Sequence, residues 1–171
     1  MLTPKLRFVL ALASFALGGY RLISGDYAGL ALLAASAFLA YGYFKYGTVW
    51  LAFRAVSGGK IDEAAELLQK VKRPGALGAQ ERAYYELASG FVCASRAQND
   101  PAEQHLRAAL QNQLRTENDR ALAEAILAQL LVARDALGEA RTVLEVAKTR
   151  ACRSAIAARI QALYDDLPPT G

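Results

Sequence analysis

An internal repeat constrains this chain more than any other feature. Three segments align: Gly59-Lys60-Ile61-Asp62-Glu63-Ala64-Ala65-Glu66-Leu67-Leu68, then Pro101-Ala102-Glu103-Gln104-His105-Leu106, then Gly138-Glu139-Ala140-Arg141-Thr142-Val143-Leu144. Ala64, Ala102 and Ala140 recur every 38 residues; Leu68, Leu106 and Leu144 follow by four, and Val71, Ala109 and Ala147 by seven. Offsets of 0, 4 and 7 mark one face of an α-helix. Twelve residues before each anchoring alanine stands another small residue, Ala52, Gly90 or Ala128. Small residues paired in this way let two helices pack with close axes, and the larger residue four positions on fills the groove beside them. Composition agrees: 35 Ala and 26 Leu among 171 residues favour helix, and β-branched and aromatic residues are too sparse to fill many strands.

The repeat resembles the tetratricopeptide repeat, most fully in Gly59–Leu68 and again from Gly138, over about residues 47–150. It departs from the family in its period, 38 residues against about 34, and in lacking most of the family's Trp and Tyr positions; Pro74 stands near the place of the closing proline. The resemblance implies an α-solenoid of about three helix pairs, with helices near 46–57, 60–72, 79–97, 101–114, 117–136 and 139–149. A helix over about 151–164, with Cys152, Ile156, Ile160 and Leu163 on one stripe, would cap the array. Gly58-Gly59 suits a helix end, Asp100-Pro101-Ala102-Glu103 suits an N-cap with a capping-box Glu, and Thr116 with Asp119 suits a second cap. In such arrays the first helix of each pair lines a concave side. The aligned positions are Tyr46, Val49 and Phe53, then Tyr84, Leu87 and Phe91, then Leu122, Ala125 and Gln129. As a groove they would be apolar and aromatic, suited to an amphipathic helix or an extended apolar segment of a protein partner. The same residues can equally be core.

Residues 1–46 differ from the rest. Uncharged runs cover Phe8–Tyr20 and Tyr27–Phe44, Ser24-Gly25-Asp26 forms a plausible turn between them, and Tyr41, Tyr43, Phe44, Tyr46 and Trp50 cluster beyond the second run. We therefore expect a hairpin of two transmembrane helices, about 6–23 and 27–45, in contact with a bilayer. A buried helical hairpin and a cleaved signal peptide are the other readings of the same runs. Lys and Arg flank both outer ends, so the positive-inside rule places both termini in the cytoplasm of a multi-pass inner-membrane protein. Of the net charge of +4, residues 1–46 carry four bases and one acid, leaving +1 for 47–171. That balance is not the footprint of a nucleic-acid binder.

The inventory for catalysis is short. One His gives no His-pair metal site, and Cys93 and Cys152 form no C-x-x-C pair. Cys93 aligns with Ala55 and Leu131 and reads as a small interior residue; His105 aligns with Leu67 and Val143 and reads as a partly buried polar contact. Asp165-Asp166 reads as a solvated tail. We expect no cofactor, no metal and no enzyme activity. The expected function is a membrane-anchored adaptor, with a self-associating structural component, joined through Gly18 and Gly29, as the second reading.

Overall fold

The computed structural model describes the backbone of residues 4–168 and the side chains of residues 12–37 and 47–168. The described residues are all-α, with no strand: α1 (Pro4–Ile23), α2 (Ala28–Ser57), α3 (Ile61–Gln69), α4 (Ala79–Ser95), α5 (Asn99–Gln111), α6 (Glu117–Ala133), α7 (Leu137–Lys148) and α8 (Ser154–Asp165). A single 3₁₀ turn, Pro74–Ala76, interrupts the loop before α4. The chain divides into two compact units, Met1–Thr48 and Val49–Gly171. Helix α2 runs unbroken across that boundary, as the absence of proline between Lys5 and Arg73 allows.

In the second unit the 38-residue period is visible in the backbone. Gly59, Ala97 and Asp135 share the left-handed conformation, with φ of 77°, 56° and 63°. The next residue's N–H then reaches back five residues, Lys60 to Ala55 O, Gln98 to Cys93 O and Ala136 to Leu131 O, each at 2.9 Å. This is the Schellman closure, which satisfies carbonyls that a helix end leaves open. Only the first copy uses glycine; an alanine at such a φ costs about 1 kcal/mol, so the last two turns are held against local preference by the packing of their helices.

The same turn sets where the second helices begin. Their N-caps, Lys60, Gln98 and Ala136, lie 38 residues apart, and none makes a side-chain cap. The anchoring alanines 64, 102 and 140 are the first donors of each helix, bonding to the cap carbonyl at 3.0–3.1 Å. The expected capping box at Asp100–Glu103 is therefore displaced: α5 starts at Asn99, and Pro101 sits in its first turn, where a missing N–H costs nothing. Glu103 is buried and turns instead to Arg107 (2.6 Å) and Arg134 (3.0 Å). Arg134 and Arg96, again 38 apart, each end a first helix and reach a carboxylate in the preceding pair, Glu103 and Asp62 (2.9 Å) respectively. The expected Thr116 cap is present, its Oγ1 accepting from Asp119 N–H at 3.0 Å.

Ala52, Ala64, Ala102, Ala128 and Ala140 are completely buried, and Gly90 is buried with them. A Cβ at Gly90 would lie 2.8 Å from Leu106 Cγ, so this pair of helices meets at backbone distance. One core cluster joins α4 to α8, and a second joins the end of α2 to α3 and to Ala88 and Val92 of α4. Helix α8 lies on α6 and α7 and buries Ile160, with Cys152, Ile156 and Leu163 packed beside it on the expected stripe.

In the first unit α1 and the start of α2 form a hairpin. Gly25 (φ 80°) makes the turn, Asp26 Oδ1 accepts from Ala28 N–H at 2.9 Å, and Arg21 pairs with Asp26 at 3.4 Å. Gly18 and Gly29 face each other here: a Cβ on either would meet the other's carbonyl oxygen at 2.5–3.0 Å. The small-residue seam is thus used inside the chain. The expectation of two membrane spans, and with it a multi-pass inner-membrane location with residues 6–45 in a bilayer, is overturned. Among the described residues no helix is long and apolar enough to cross a membrane.

Because Leu106 is fully buried and cannot swing clear, Gly90→Val should destabilise the protein by about 1–3 kcal/mol. Urea unfolding checks this. Pairing Gly90→Val with Leu106→Ala should restore part of the loss, since the added methyls then occupy the vacated volume.

Candidate functional site

Tyr84, in the second turn of α4, organises a concave region of the second unit. Its ring stacks at a tilt on Trp50, with centroids 4.5 Å apart and planes at 35°, and meets Phe53 edge-on at 5.0 Å. Trp50 and Phe53 are themselves perpendicular, 6.2 Å apart. Offset and edge-on contacts of this kind add about 0.5–1.5 kcal/mol each beyond the area they bury. The phenol is fully engaged: Oη donates to Asp119 Oδ2 at 2.6 Å and accepts from Arg115 N–H at 3.3 Å. Burial, and then the hydrogen bond and charge of Asp119, push its pKa well above the ordinary tyrosine value; Arg115 opposes the shift weakly. Asp119 is itself fixed, because its own N–H is tied to the Thr116 cap.

Across from this cluster, the connector between α7 and α8 is pinned by Arg150. Its Nε and Nη2 both donate to the buried Glu124 carboxylate at 2.7 Å, and Nη1 donates to Glu117 at 2.6 Å. The hydrogen bonds to Glu124, with help from Glu117, raise the guanidinium's pKa and keep it charged. Three residues on, Arg153 N–H donates to Asn118 Oδ1 at 3.1 Å. The two connectors, before α6 and before α8, thereby wall an open cleft of about 770 Å³ whose lining includes Trp50, Tyr84, Arg115, Asn118, Asp119 and Arg153. Its lining combines aromatic and polar residues.

The residues expected to line a concave groove are distributed differently. Val49, Tyr84 and Leu87 are at most 1 % exposed, and Ala125 is fully buried with them in one core. Phe53, Phe91 and Leu122 are half-buried and packed against that core. Gln129 is covered by Arg159 of α8, which donates to its Oε1. The side chain of Tyr46 lies outside the described residues. Of the expected groove residues, only Tyr84 lines the cleft. Trp50, Arg115, Asn118 and Arg153 were missed. The Thr116–Asp119 cap marked one wall in the sequence, but nothing local signalled that Trp50 and Arg153 would meet it.

His105 makes the expected polar contact: its Nδ1 lies 2.7 Å from Oε2 of buried Glu86, which Arg82 also approaches at 3.8 Å. Cys93 is half-buried against the core, and burial pushes its thiol pKa up. Among the described residues no group of three or more His, Cys, Asp or Glu side chains is placed to hold a metal ion.

Two outcomes follow from these contacts. The folded-state pKa of Tyr84 lies above the unfolded value of about 10, so its contribution is complete below pH 10 and is lost as the pH climbs towards the folded value. Thermal melts of the wild type should therefore lose stability above pH 10. Tyr84→Phe should lack that component of the slope, while costing about 1–3 kcal/mol at neutral pH by leaving Asp119 without its donor. Separately, Arg150→Met leaves the Glu124 carboxylate buried and unpaired and should cost about 3–5 kcal/mol; Glu124→Met in the same background should recover much of that in denaturant titrations.

No family model matches this chain, and no curated protein or solved structure is significantly similar to it.

Proposed function

We propose that the chain is a helical-repeat adaptor of tetratricopeptide-like build, an α-solenoid that holds a segment of a protein partner in the cleft at Trp50 and acts by binding, not by catalysis. The observation that carries this reading is the cleft itself. It is open, about 770 Å³ in volume, lined by Trp50 and Tyr84 and walled by connectors from separate helix pairs. That volume falls within the range of ordinary recognition sites and suits a few side chains of an inserted segment. Most of the polar groups around it are engaged in structural bonds: the Tyr84 hydroxyl to Asp119, the Thr116 hydroxyl to the Asp119 N–H, and Glu117 and Glu124 to Arg150. What remains for a partner is aromatic surface, an amide, the Cys152 side chain and two guanidiniums. Aromatic residues and arginine are the types that dominate the energetics of protein interfaces.

Site-specific photo-crosslinking tests the reading. A benzoylphenylalanine at position 50 should give a discrete adduct with one partner in the native extract, and Arg153→Glu should reduce its yield at least fivefold. The same probe at Glu66, exposed on α3, should give none. Identical adducts from both positions, or no adduct from position 50, would overturn the proposal.

A further inference from the structure

Most of the arginines in the repeat unit are answered within the chain. Arg82, Arg96, Arg107, Arg120, Arg134 and Arg150 have carboxylate partners. Arg141 reaches the Pro168 carbonyl and the Tyr164 ring, and Arg159 is bonded to Gln129. Arg115 and Arg153 differ. Both are exposed, both line the cleft, and among the described residues neither guanidinium has a carboxylate or hydrogen-bonded partner. Arg54 and Arg73 share that condition but do not line the cleft. The only acid in the lining is Asp119, and its Oδ2 is already taken by Tyr84. The lining therefore carries an excess positive charge beside an indole, with no internal group to neutralise it.

Arg115 and Arg153 are also 38 residues apart, one in each of the two connectors. Their backbones are anchored, Arg115 by its N–H to Tyr84 Oη and Arg153 by its N–H to Asn118 Oδ1. Two guanidiniums on fixed backbones are suited to planar, two-point recognition of carboxylates. We infer that the cleft recognises an acidic peptide segment, with Arg115 and Arg153 gripping its carboxylates and Trp50 packing against its intervening side chains. This assignment rests on the adaptor reading and names the chemistry of the partner.

Trp50 is the only tryptophan in the chain, so its emission reports the cleft directly. The full-length protein is titrated with an octapeptide of Glu and Asp, with its Lys counterpart and with inorganic phosphate, following Trp50 fluorescence and heat by calorimetry. The acidic peptide should give saturable binding that weakens steeply with salt; the Lys peptide should give none, and phosphate should bind at least tenfold more weakly. Arg115→Ala and Arg153→Ala should each weaken the acidic peptide about tenfold, and the double variant should abolish binding. Thermal melts of these variants should match the wild type, since no contact of either guanidinium is lost. No heat and no emission change with the acidic peptide overturns the inference. So does equal binding by the double variant, or phosphate binding as tightly as the peptide, which would mark a small-anion site. A crosslinked partner whose mapped segment carries no acid leaves the adaptor standing and removes only the charge assignment. Acidic-peptide binding with no adduct from position 50 removes the adaptor and keeps the charged site.

Discussion

The repeat unit depends on close packing between the two helices of each pair, seen most directly where a Cβ at Gly90 would lie 2.8 Å from Leu106 Cγ. That contact requires side chains no larger than a methyl group at Ala52 and Ala64, at Gly90 and Ala102, and at Ala128 and Ala140, and all six positions are buried. Close packing makes such positions intolerant of added volume. With the axes that near, Leu68, Leu106 and Leu144 fill the flanking grooves. The chain must then reverse within a few residues, which imposes the left-handed residue at 59, 97 and 135. Ala97 and Asp135 accept an unfavourable backbone because the helices they join leave no other route.

Polar burial supplies register where apolar packing cannot. Glu86 and Glu124 occupy the same place in successive first helices, 38 residues apart, and both are buried. Their partners differ: His105 from α5 answers Glu86, and Arg150, beyond α7, answers Glu124. A buried carboxylate is costly only when left alone, so each pair penalises any docking of the neighbouring helix that would separate it. In the second case the effect extends to the surface. By chelating Glu124 and Glu117, Arg150 holds the connector that brings Arg153 to the cleft.

Much of the fold was legible because helix periodicity is a local property. The small residues, the Leu positions, the stripe on α8 and the Thr116 cap all follow from spacing along one chain. The capping box at Asp100 was misplaced because side-chain signals there compete with the Schellman turn, whose geometry starts α5 two residues earlier. The groove was harder to read. Val49, Tyr84 and Leu87 on one side, and Phe53, Phe91 and Leu122 on the other, are all apolar residues at helical spacing. Which of them are covered depends on how far neighbouring helices overlap. The N-terminal runs were legible as apolar helices joined at Ser24–Asp26, and the hairpin has that form; among the described residues no helix is long and apolar enough to cross a membrane.

The sequence by itself determined the helical class, the 38-residue repeat and the residues at which helices touch, because all of these depend on neighbours within a turn or two of helix. The location of the cleft was decided only by tertiary structure. Trp50, Arg115 and Arg153 are separated by more than a hundred residues from first to last, and none belongs to a spacing pattern with Trp50. They share one cleft because the packing of the helices brings the connectors before α6 and α8 together beside Trp50, with Tyr84 bonded to Asp119 on one wall and Arg150 bonded to Glu117 and Glu124 on the other. Periodicity specifies which faces must be buried; only the completed fold brings Arg115 and Arg153 to one cleft.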